Sequence, residues 1–266
     1  MPTVTSKDGT SIGYDAVGEG PALIVVDGAT GYRGAFGGGS ELARLLAPHF
    51  TIYTYDRRGR GESSDTQPFA VAREVEDIEA LIDAAGGAAY LYGMSSGGAL
   101  ALEAALALPG KVTKLAIYEV PYDDSDVGMQ AWHNYRTTLE ELTAAGQRGD
   151  AVALFVQFVG VPADMIAGMR QSPIWPSLEA VAPTLRYDAA ALGADRTVPT
   201  ERAATLIIPT LIMDGGASEA ILPFMRATAE ALTKAIPHAE HQILPGQTHD
   251  VDPKVVAPVL TAFLES

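Results

Sequence analysis

Gly93-Met94-Ser95-Ser96-Gly97 is the stretch of this 266-residue sequence that decides its fold. An apolar, partly aromatic run of strand length, residues 88–92, precedes it, and a run rich in Ala and Leu, residues 98–108, follows it. A serine between two glycines at a strand-to-helix turn is the arrangement that exposes a nucleophile. Because the turn is tight, it strains the serine backbone and leaves no room for side chains at the flanking positions. Ser95 is therefore the predicted nucleophile.

The composition is that of an ordinary globular protein. Hydrophobic residues make up 47% and charged residues 19% of the chain, which excludes a mostly disordered protein. There is no cysteine, so disulfides, thiolate metal sites and cysteine nucleophiles are unavailable. The first residues lack a cationic region leading into an apolar one, and no apolar run is long enough to span a bilayer. We therefore expect a cytoplasmic protein with no membrane partner.

The charge balance argues against nucleic acid as a partner. The formal net charge is −15, whereas phosphate binding needs a basic stripe. The one basic cluster, Arg57-Arg58-Gly59-Arg60, is interpreted as a structured loop with solvated or ion-paired arginines rather than as a phosphate site. We expect a small-molecule substrate and a monomer or homodimer.

Apolar runs of strand length alternate with helical periodicity along most of the chain. The runs predicted as strands are residues 10–14, 22–26, 50–55, 88–92, 112–118, 209–213 and 241–244. The runs predicted as helices outside the middle of the chain are residues 41–46, 71–85, 98–108, 223–235 and 253–263. Such alternation is typical of a mainly parallel sheet with helices on both faces. Catalytic residues are then expected at the carboxyl ends of the strands.

The alternation lapses between residues 121 and 204. This segment carries two predicted helices, residues 129–142 and 151–159, and then four prolines. We expect a core domain of residues 1–120 and 205–266, with residues 121–204 inserted after the sixth strand as a helical cap over the serine turn.

Three motifs together resemble the α/β-hydrolase family. They are Asp56-Arg57-Arg58-Gly59-Arg60-Gly61-Glu62-Ser63, the turn at residues 93–97, and Gly246-Gln247-Thr248-His249. The resemblance covers nearly the whole chain except the insertion. It implies the α/β-hydrolase fold, with an eight-stranded, mainly parallel sheet, and says much less about the substrate.

His249 is the predicted general base. A serine hydroxyl needs a base to take its proton, and the histidine pKa suits that task. His249 follows the last predicted strand, in a loop on the side of the sheet where the serine turn lies, and its position fits the chain order nucleophile, acid, histidine. The other histidines are interpreted as structural; they are His49, His133, His238 and His241. Of these, His133 lies in the insertion and is more able to face a substrate.

The acid is where the sequence departs from the common family pattern. In many relatives Gly-x-x-Asp follows the strand at residues 209–213, but here Ser218 occupies the aspartate position. Glu119 ranks first as the replacement, because it lies at the tip of the strand after the serine turn and has a long reach. Asp214 ranks second. Asp250 ranks last, because it would have to fold back onto the neighbouring histidine.

A narrower resemblance supports Glu119. The short motifs that carry it are Gly93-Met94-Ser95-Ser96-Gly97, Glu119-Val120-Pro121, Asp27-Gly28, Pro173-Ile174-Trp175 and Leu244-Pro245-Gly246. They look like those of the zearalenone lactone hydrolases, which open a macrocyclic lactone with a serine, a histidine and a glutamate. The resemblance implies Ser95, His249 and Glu119 as the triad and Trp175 as a residue that faces the substrate.

Acyl transfer also needs backbone N–H groups that stabilise an oxyanion. One is predicted at Ser96, directly after the nucleophile, and the other at Gly28, with Ala29 as the alternative. The aromatic and apolar residues of the insertion favour a neutral, hydrophobic substrate. The residues predicted to contact it are Trp175, Asp27, Met94 and His133.

The sequence thus predicts a serine hydrolase that cleaves a carboxylic ester or lactone of a neutral, hydrophobic small molecule. The chemistry requires neither a metal nor an organic cofactor. The alternatives are hydrolysis of a carbon–carbon or amide bond by the same triad, and a catalytically silent small-molecule-binding protein. Epoxide and haloalkane hydrolysis are disfavoured, because they need an aspartate where Ser95 stands.

Overall fold

A computed structural model describes residues 2–35, 38–220 and 222–266. These residues contain a sheet of eight strands in the order β1-β2-β4-β3-β5-β6-β7-β8. The strands are β1 (Thr3–Thr5), β2 (Ser11–Val17), β3 (Ala22–Val26), β4 (Thr51–Tyr55), β5 (Ala89–Met94), β6 (Val112–Tyr118), β7 (Thr210–Gly215) and β8 (Ala239–Leu244). Strands β1 and β2 pair antiparallel, β2 pairs antiparallel with β4, and every later pairing is parallel. The predicted α/β-hydrolase fold with a mainly parallel eight-stranded sheet is confirmed.

The described residues also form α-helices, several of which cover the two faces of this sheet. They are α1 (Gly38–Leu46), α2 (Val71–Ala84), α3 (Ser96–Ala107), α4 (Asp126–Ala144), α5 (Arg148–Phe158), α6 (Ala163–Met169), α7 (Trp175–Val181), α8 (Leu185–Ala191), α9 (Thr200–Ala203), α10 (Phe224–Ala235) and α11 (Pro253–Glu265). The buried side chains of α1 and α11 belong to one hydrophobic cluster, and those of α2, α3 and α10 to another. The sheet lies between the two clusters.

Strand β3 shows why its sequence reads as an unbroken apolar run. All five of its residues are buried. Leu23 and Val25 pack into the cluster of α1 and α11, whereas Ile24 and Val26 pack into the opposite cluster. Since side chains alternate between the two faces of a strand, a strand covered on both faces has to be apolar throughout.

Polar residues fix the starts of two long helices. Ser125 precedes α4, and its hydroxyl accepts a hydrogen bond from the Gly128 N–H at 3.0 Å. Asp252 precedes α11, and its carboxylate accepts from the Lys254 N–H at 2.8 Å. These are N-cap interactions, which satisfy N–H groups that the first helical turn leaves without partners.

Helices α4 to α9 all lie between β6 and β7, in the segment where the alternation of strands and helices lapses. Helices α4 and α5 match the two predicted helices. Helices α6 to α9 were not predicted, because they contain only four to seven residues each, which is too short for a 3.6-residue period to show. None of the described helices is long and apolar enough to cross a membrane.

The serine turn depends on a close approach of backbones. A Cβ atom on Gly97 would lie 2.2 Å from the Val26 carbonyl oxygen, and one on Gly93 would lie 2.5 Å from the Gly97 carbonyl oxygen. Ser95 between them has a φ of 56°, a left-handed conformation that is costly for a residue with a side chain. The predicted strain and the predicted need for two glycines are therefore both present.

We expect Gly97→Ala to destabilise the protein by at least about 2 kcal/mol, because either α3 or β3 must shift to admit the methyl group. The matched control is Gly168→Ala, also in a helix, where an added Cβ meets no atom within 4 Å. That variant should be unchanged or up to about 1 kcal/mol more stable, since Ala favours helices. Urea unfolding measures both, and equal unfolding midpoints for the two variants would contradict the packing argument.

Candidate active site

Ser95 lies at the carboxyl end of β5, directly before α3, and is partly exposed. Its N–H donates a hydrogen bond to the Tyr118 carbonyl at 2.9 Å, and its carbonyl accepts one from the Gly98 N–H at 2.9 Å. The backbone of Ser95 is thus held from the neighbouring strand β6 and from its own helix. This placement leaves its side chain at the strand-tip edge of the sheet, where the α/β architecture places reactive groups.

Glu119 and His249 lie in direct contact. Glu119 follows β6, and its carboxylate is fully buried. One oxygen, Oε1, accepts a hydrogen bond from the Gly215 N–H at 2.8 Å, and the other, Oε2, lies 2.8 Å from His249 Nδ1. An ionised carboxylate only accepts hydrogen bonds, so Nδ1 carries the proton in this contact. In that tautomer the Nε2 atom of His249 carries no proton.

The surroundings of Glu119 favour its charged form. Burial by itself raises the pKa of Glu119, but the His249 ring, the Ser218 hydroxyl and the Gly215 N–H each lower it, and the pKa ends below its ordinary value. Glu119 therefore stays ionised at neutral pH. Ser218, which occupies the aspartate position of many relatives, is buried beside this carboxylate and contributes to the lowered pKa.

Tyr118 joins the serine turn to the histidine loop, a role that the sequence analysis missed. Its carbonyl accepts from the Ser95 N–H, while its buried hydroxyl donates to the Thr248 carbonyl next to His249. Only its position immediately before Glu119 could have drawn attention to it. In the described part of the chain no hydrogen bond joins the Ser95 hydroxyl to the His249 ring, and in unliganded enzymes such contacts are often long and tighten with substrate.

Asp214, the second candidate acid, is engaged elsewhere. It is buried at the end of β7, where it accepts a hydrogen bond from Arg226 Nε at 2.6 Å and also contacts His241 Nε2. Its partners are therefore Arg226 and His241 rather than His249. Asp250 is exposed. Of the three carboxylates considered, the structure brings only Glu119 into contact with His249.

The loop after β3 lies against Ser95. A Cβ atom on Gly28 would be 3.1 Å from Ser95 Cβ and 3.0 Å from the Met94 carbonyl oxygen. Ser96, the first residue of α3, is buried. Both proposed N–H donors thus belong to segments that flank Ser95, and Ala29 follows directly on the same loop.

The residues predicted to contact the substrate fall into two groups. Asp27 and Met94 are direct neighbours of Gly28 and Ser95, and burial raises the pKa of Asp27 although Arg60 and Arg57 partly oppose this. The other two contact residues of the inserted segment: Trp175 Nε1 donates to Glu179 Oε1 at 2.9 Å, and exposed His133 lies 2.7 Å from Asp195. The described contacts do not connect this second group with Ser95.

The basic cluster is buried rather than solvated. Arg57, Arg58 and Arg60 have almost no exposed surface. Each forms an ion pair with a buried carboxylate: Arg57 with Glu74 and Asp188, Arg58 with Asp77, and Arg60 with Asp188. Of the two states expected for these arginines, ion-paired or solvated, the structure shows the ion-paired one. Asp188, which the sequence analysis did not single out, comes from the inserted helix α8.

Among the residues that the structure describes, His, Asp and Glu side chains do not gather in groups of three or more that could hold a metal ion. The acidic groups at the strand tips are instead engaged by histidine, arginine and backbone N–H groups.

A model of the alpha/beta hydrolase family matches residues 27–259. The chain belongs to this family.

Particular relatives agree with that assignment. An alpha/beta hydrolase from Sphaerobacter thermophilus DSM 20745 has 50% sequence identity and a TM-score of 0.88, over 99% of this chain and 100% of that one. An esterase from Thermogutta terrifontis, at 24% identity and a TM-score of 0.72 over 99% of this chain and 97% of that one, shares the fold. A pimeloyl-[acyl-carrier protein] methyl ester esterase from Xanthomonas campestris pv. campestris is 32% identical over 154 residues, 52% of this chain. That match spans 58% of the length of the curated relative.

The lowered pKa of Glu119 predicts a pH-dependent contribution to stability. A carboxylate whose pKa is lower in the folded than in the unfolded protein stabilises the fold above its unfolded pKa, about 4.3, and this contribution is lost as the pH falls through the folded pKa. We therefore expect Glu119→Gln to lower the free energy of unfolding at about pH 7, with a difference from wild type that shrinks towards about pH 3.

Urea unfolding across this pH range measures that difference. The matched control is Glu19→Gln at an exposed position, which should change stability by less than about 0.5 kcal/mol. A difference for Glu119→Gln that is independent of pH would contradict the argument.

Proposed function

We propose that this protein is a serine hydrolase that cleaves a carboxylic ester bond with Ser95 as nucleophile, His249 as base and Glu119 as the acid that orients the base. The observation that carries the proposal is the 2.8 Å contact between the buried Glu119 carboxylate and His249 Nδ1. It lies at the same edge of the sheet as the strained Ser95 turn. A buried carboxylate on Nδ1 keeps the imidazole in the tautomer that can accept a proton at Nε2.

The mechanism follows from this arrangement. His249 Nε2 takes the proton from Ser95 Oγ as the oxygen attacks the ester carbonyl, and the carbonyl oxygen becomes an oxyanion. The N–H groups of Ser96 and of Gly28 or Ala29 stabilise that charge. His249 then gives its proton to the leaving alcohol, and Ser95 keeps the acyl group. Water, deprotonated by the same histidine, attacks the acyl-enzyme and releases the acid.

Different observations favour an open-chain ester and a lactone as the substrate. The curated relatives are named as a methyl ester esterase, which favours an ester. The short motifs that resemble those of the zearalenone lactone hydrolases favour a lactone, which is an internal ester whose alcohol stays attached to the acyl group. The same triad can cleave both bonds. Ester hydrolysis is therefore the general proposal, and lactone hydrolysis is its more specific form.

The inserted segment, residues 121–204, is proposed to be a cap that completes the substrate pocket. Asp188 on α8 accepts a hydrogen bond from the Ser96 hydroxyl at 2.9 Å, so part of this segment lies against the serine turn. The segment also supplies aromatic side chains, among them the stacked pair Tyr135 and Phe158. An aromatic cap on a protein of net charge −15 favours a neutral, hydrophobic substrate over an anionic one. The proposed mechanism uses no metal and no organic cofactor.

We expect Ser95→Ala to lower the turnover of p-nitrophenyl esters by roughly 10⁴-fold to 10⁶-fold, because the nucleophile is lost. Wild-type protein should also form a covalent adduct at Ser95 with a fluorophosphonate, detected by mass spectrometry of the peptide. Full activity of Ser95→Ala would contradict the proposal. If the wild-type protein is not labelled by the fluorophosphonate and does not turn over esters, a binding protein is favoured instead.

The two candidate acids are separated by a pair of matched variants. Glu119→Ala should lower kcat by roughly 10²-fold to 10⁴-fold, since His249 loses the group that holds its tautomer. Asp214→Ala should lower the free energy of unfolding, because Arg226 and His241 lose their shared carboxylate, with kcat per folded molecule changed less than roughly threefold. Steady-state kinetics normalised to the fraction of folded protein, taken from circular dichroism, measures kcat for both variants, and urea unfolding measures the loss of stability. The reverse ranking of the two kcat values would assign the acid to Asp214.

A further inference from the structure

A buried carboxylate of the inserted segment contacts one of the two segments that are proposed to hold the oxyanion, and also contacts the arginines that bind the other. Asp188, in α8, accepts a hydrogen bond from the Ser96 hydroxyl at 2.9 Å through Oδ1. The same oxygen accepts from Arg57 Nη1 at 2.5 Å, and Oδ2 accepts from Arg60 Nη2 at 2.6 Å. One side chain is therefore bonded to the residue after the nucleophile and to two arginines of the loop after β4.

Those two arginines hold the peptide groups of the other oxyanion segment. Arg57 Nη1 donates to the Asp27 carbonyl at 3.2 Å, and Arg60 Nη1 donates to the Gly28 carbonyl at 2.7 Å. In a trans peptide group the carbonyl and the following N–H point in opposite directions. Binding the Asp27 carbonyl therefore aims the Gly28 N–H away from the arginines, and binding the Gly28 carbonyl does the same for the Ala29 N–H.

The arginines differ in what else holds them. Arg57 also donates through Nε and Nη2 to the two carboxylate oxygens of Glu74, at 2.7 and 2.8 Å. It therefore keeps a carboxylate partner without Asp188. Arg60 donates through Nε to the Thr184 hydroxyl at 2.9 Å and through Nη1 also to the Gly31 carbonyl at 3.1 Å, and within the described chain Asp188 is the one carboxylate that accepts a hydrogen bond from it. Loss of the Asp188 charge would leave this buried guanidinium without its counter-ion, which favours a shift away from its present contact with the Gly28 carbonyl.

We propose that Asp188 is a positioning residue of the oxyanion site: it fixes Ser96 directly and the peptide groups of Gly28 and Ala29 through Arg57 and Arg60. The inference rests on the proposed function. It makes the docking of α8 on the core a condition for correct placement of the N–H donors. Since these donors stabilise the transition state more than bound substrate, disturbing them should lower kcat with little change in KM.

Three variants test this proposal. Asp188→Asn keeps the size of the side chain and removes its charge, and Ser96→Ala removes only the hydroxyl that Asp188 binds while keeping the backbone N–H. The matched control is Asp77→Asn, since Asp77 is also buried and paired with an arginine of the same turn, Arg58, which donates to neither oxyanion segment.

Two measurements report on the site itself. The first is kcat and KM for a p-nitrophenyl ester, normalised to the active sites titrated with a fluorophosphonate, which removes the effect of unfolded molecules. The second is the inhibition constant of a trifluoromethyl ketone, which adds to an activated serine and places an oxyanion in the same site. A purely structural role of Asp188 would change the titrated fraction and leave the inhibition constant unchanged.

We expect Asp188→Asn to lower kcat per titrated site roughly tenfold to a hundredfold and to weaken inhibition by the ketone by a similar factor, with KM within roughly threefold of wild type. Ser96→Ala should shift both quantities in the same direction by a smaller factor. Asp77→Asn should unfold more easily but retain the wild-type kcat per site and inhibition constant.

Unchanged ketone inhibition in both Asp188→Asn and Ser96→Ala would overturn the inference and leave the proposed function standing. If Asp188→Asn does not fold, Ser96→Ala alone decides by the same criterion. A wild-type protein that the fluorophosphonate does not label would instead overturn the proposed function, and this inference with it.

Discussion

The structure depends on how closely the start of α3, the end of β3 and the end of β5 approach one another around Gly97. Here α3 begins so near β3 that a single methyl group on Gly97 would overlap the Val26 carbonyl. This approach brings the loop after β3 against Ser95, so the serine and one proposed N–H donor become neighbours. It also forces Ser95 into a left-handed backbone conformation. The packing of the core on both sides maintains a strain that an isolated turn would release.

The parallel register of the sheet then decides which carboxylate meets the histidine. Met94 pairs with Tyr118 on β6, and Tyr118 pairs with Met213 on β7, so the residues that follow lie side by side at one edge. Glu119 follows the strand next to the nucleophile, and its carboxylate reaches past the Gly215 N–H to His249. Asp214 lies one strand further on, where Arg226 and His241 engage it. The longer side chain on the nearer strand is the one that contacts His249.

The buried arginines connect this edge to the inserted helices. Burying guanidinium groups is costly unless each is paired. The chain pairs Arg57, Arg58 and Arg60 with carboxylates from α2, from α8 and from Asp8 in the loop between β1 and β2. Asp188 on α8 pairs with both Arg57 and Arg60, and Arg57 also pairs with Glu74 on α2. Through Asp188, the position of an inserted helix and the position of the loop beside Ser95 belong to one network of hydrogen bonds. This gives α8 a mechanical connection to the proposed catalytic centre.

The sequence by itself determined the features that depend on local pattern. The apolar run at residues 22–26 is found as β3 with the same bounds, since burial on both faces requires an unbroken apolar run. The serine turn and the long helices were equally readable, whereas the three residues of β1 and the short helices α6 to α9 were not, because each holds too few residues for a repeated apolar pattern to show. Ser95, Glu119 and His249 could be singled out because each follows a recognisable strand.

Only the tertiary structure decided which side chains meet across long stretches of chain. The ranking of Glu119 over Asp214 gained its support from contacts that no local pattern contains. The Tyr118 hydroxyl and the Thr248 carbonyl are 130 residues apart, and Arg57 and Asp188 are 131 apart. Such partners depend on strand register and on how the inserted helices fold back over the core. Those are properties of the packed molecule as a whole, and for that reason Asp188 became visible only in the folded chain.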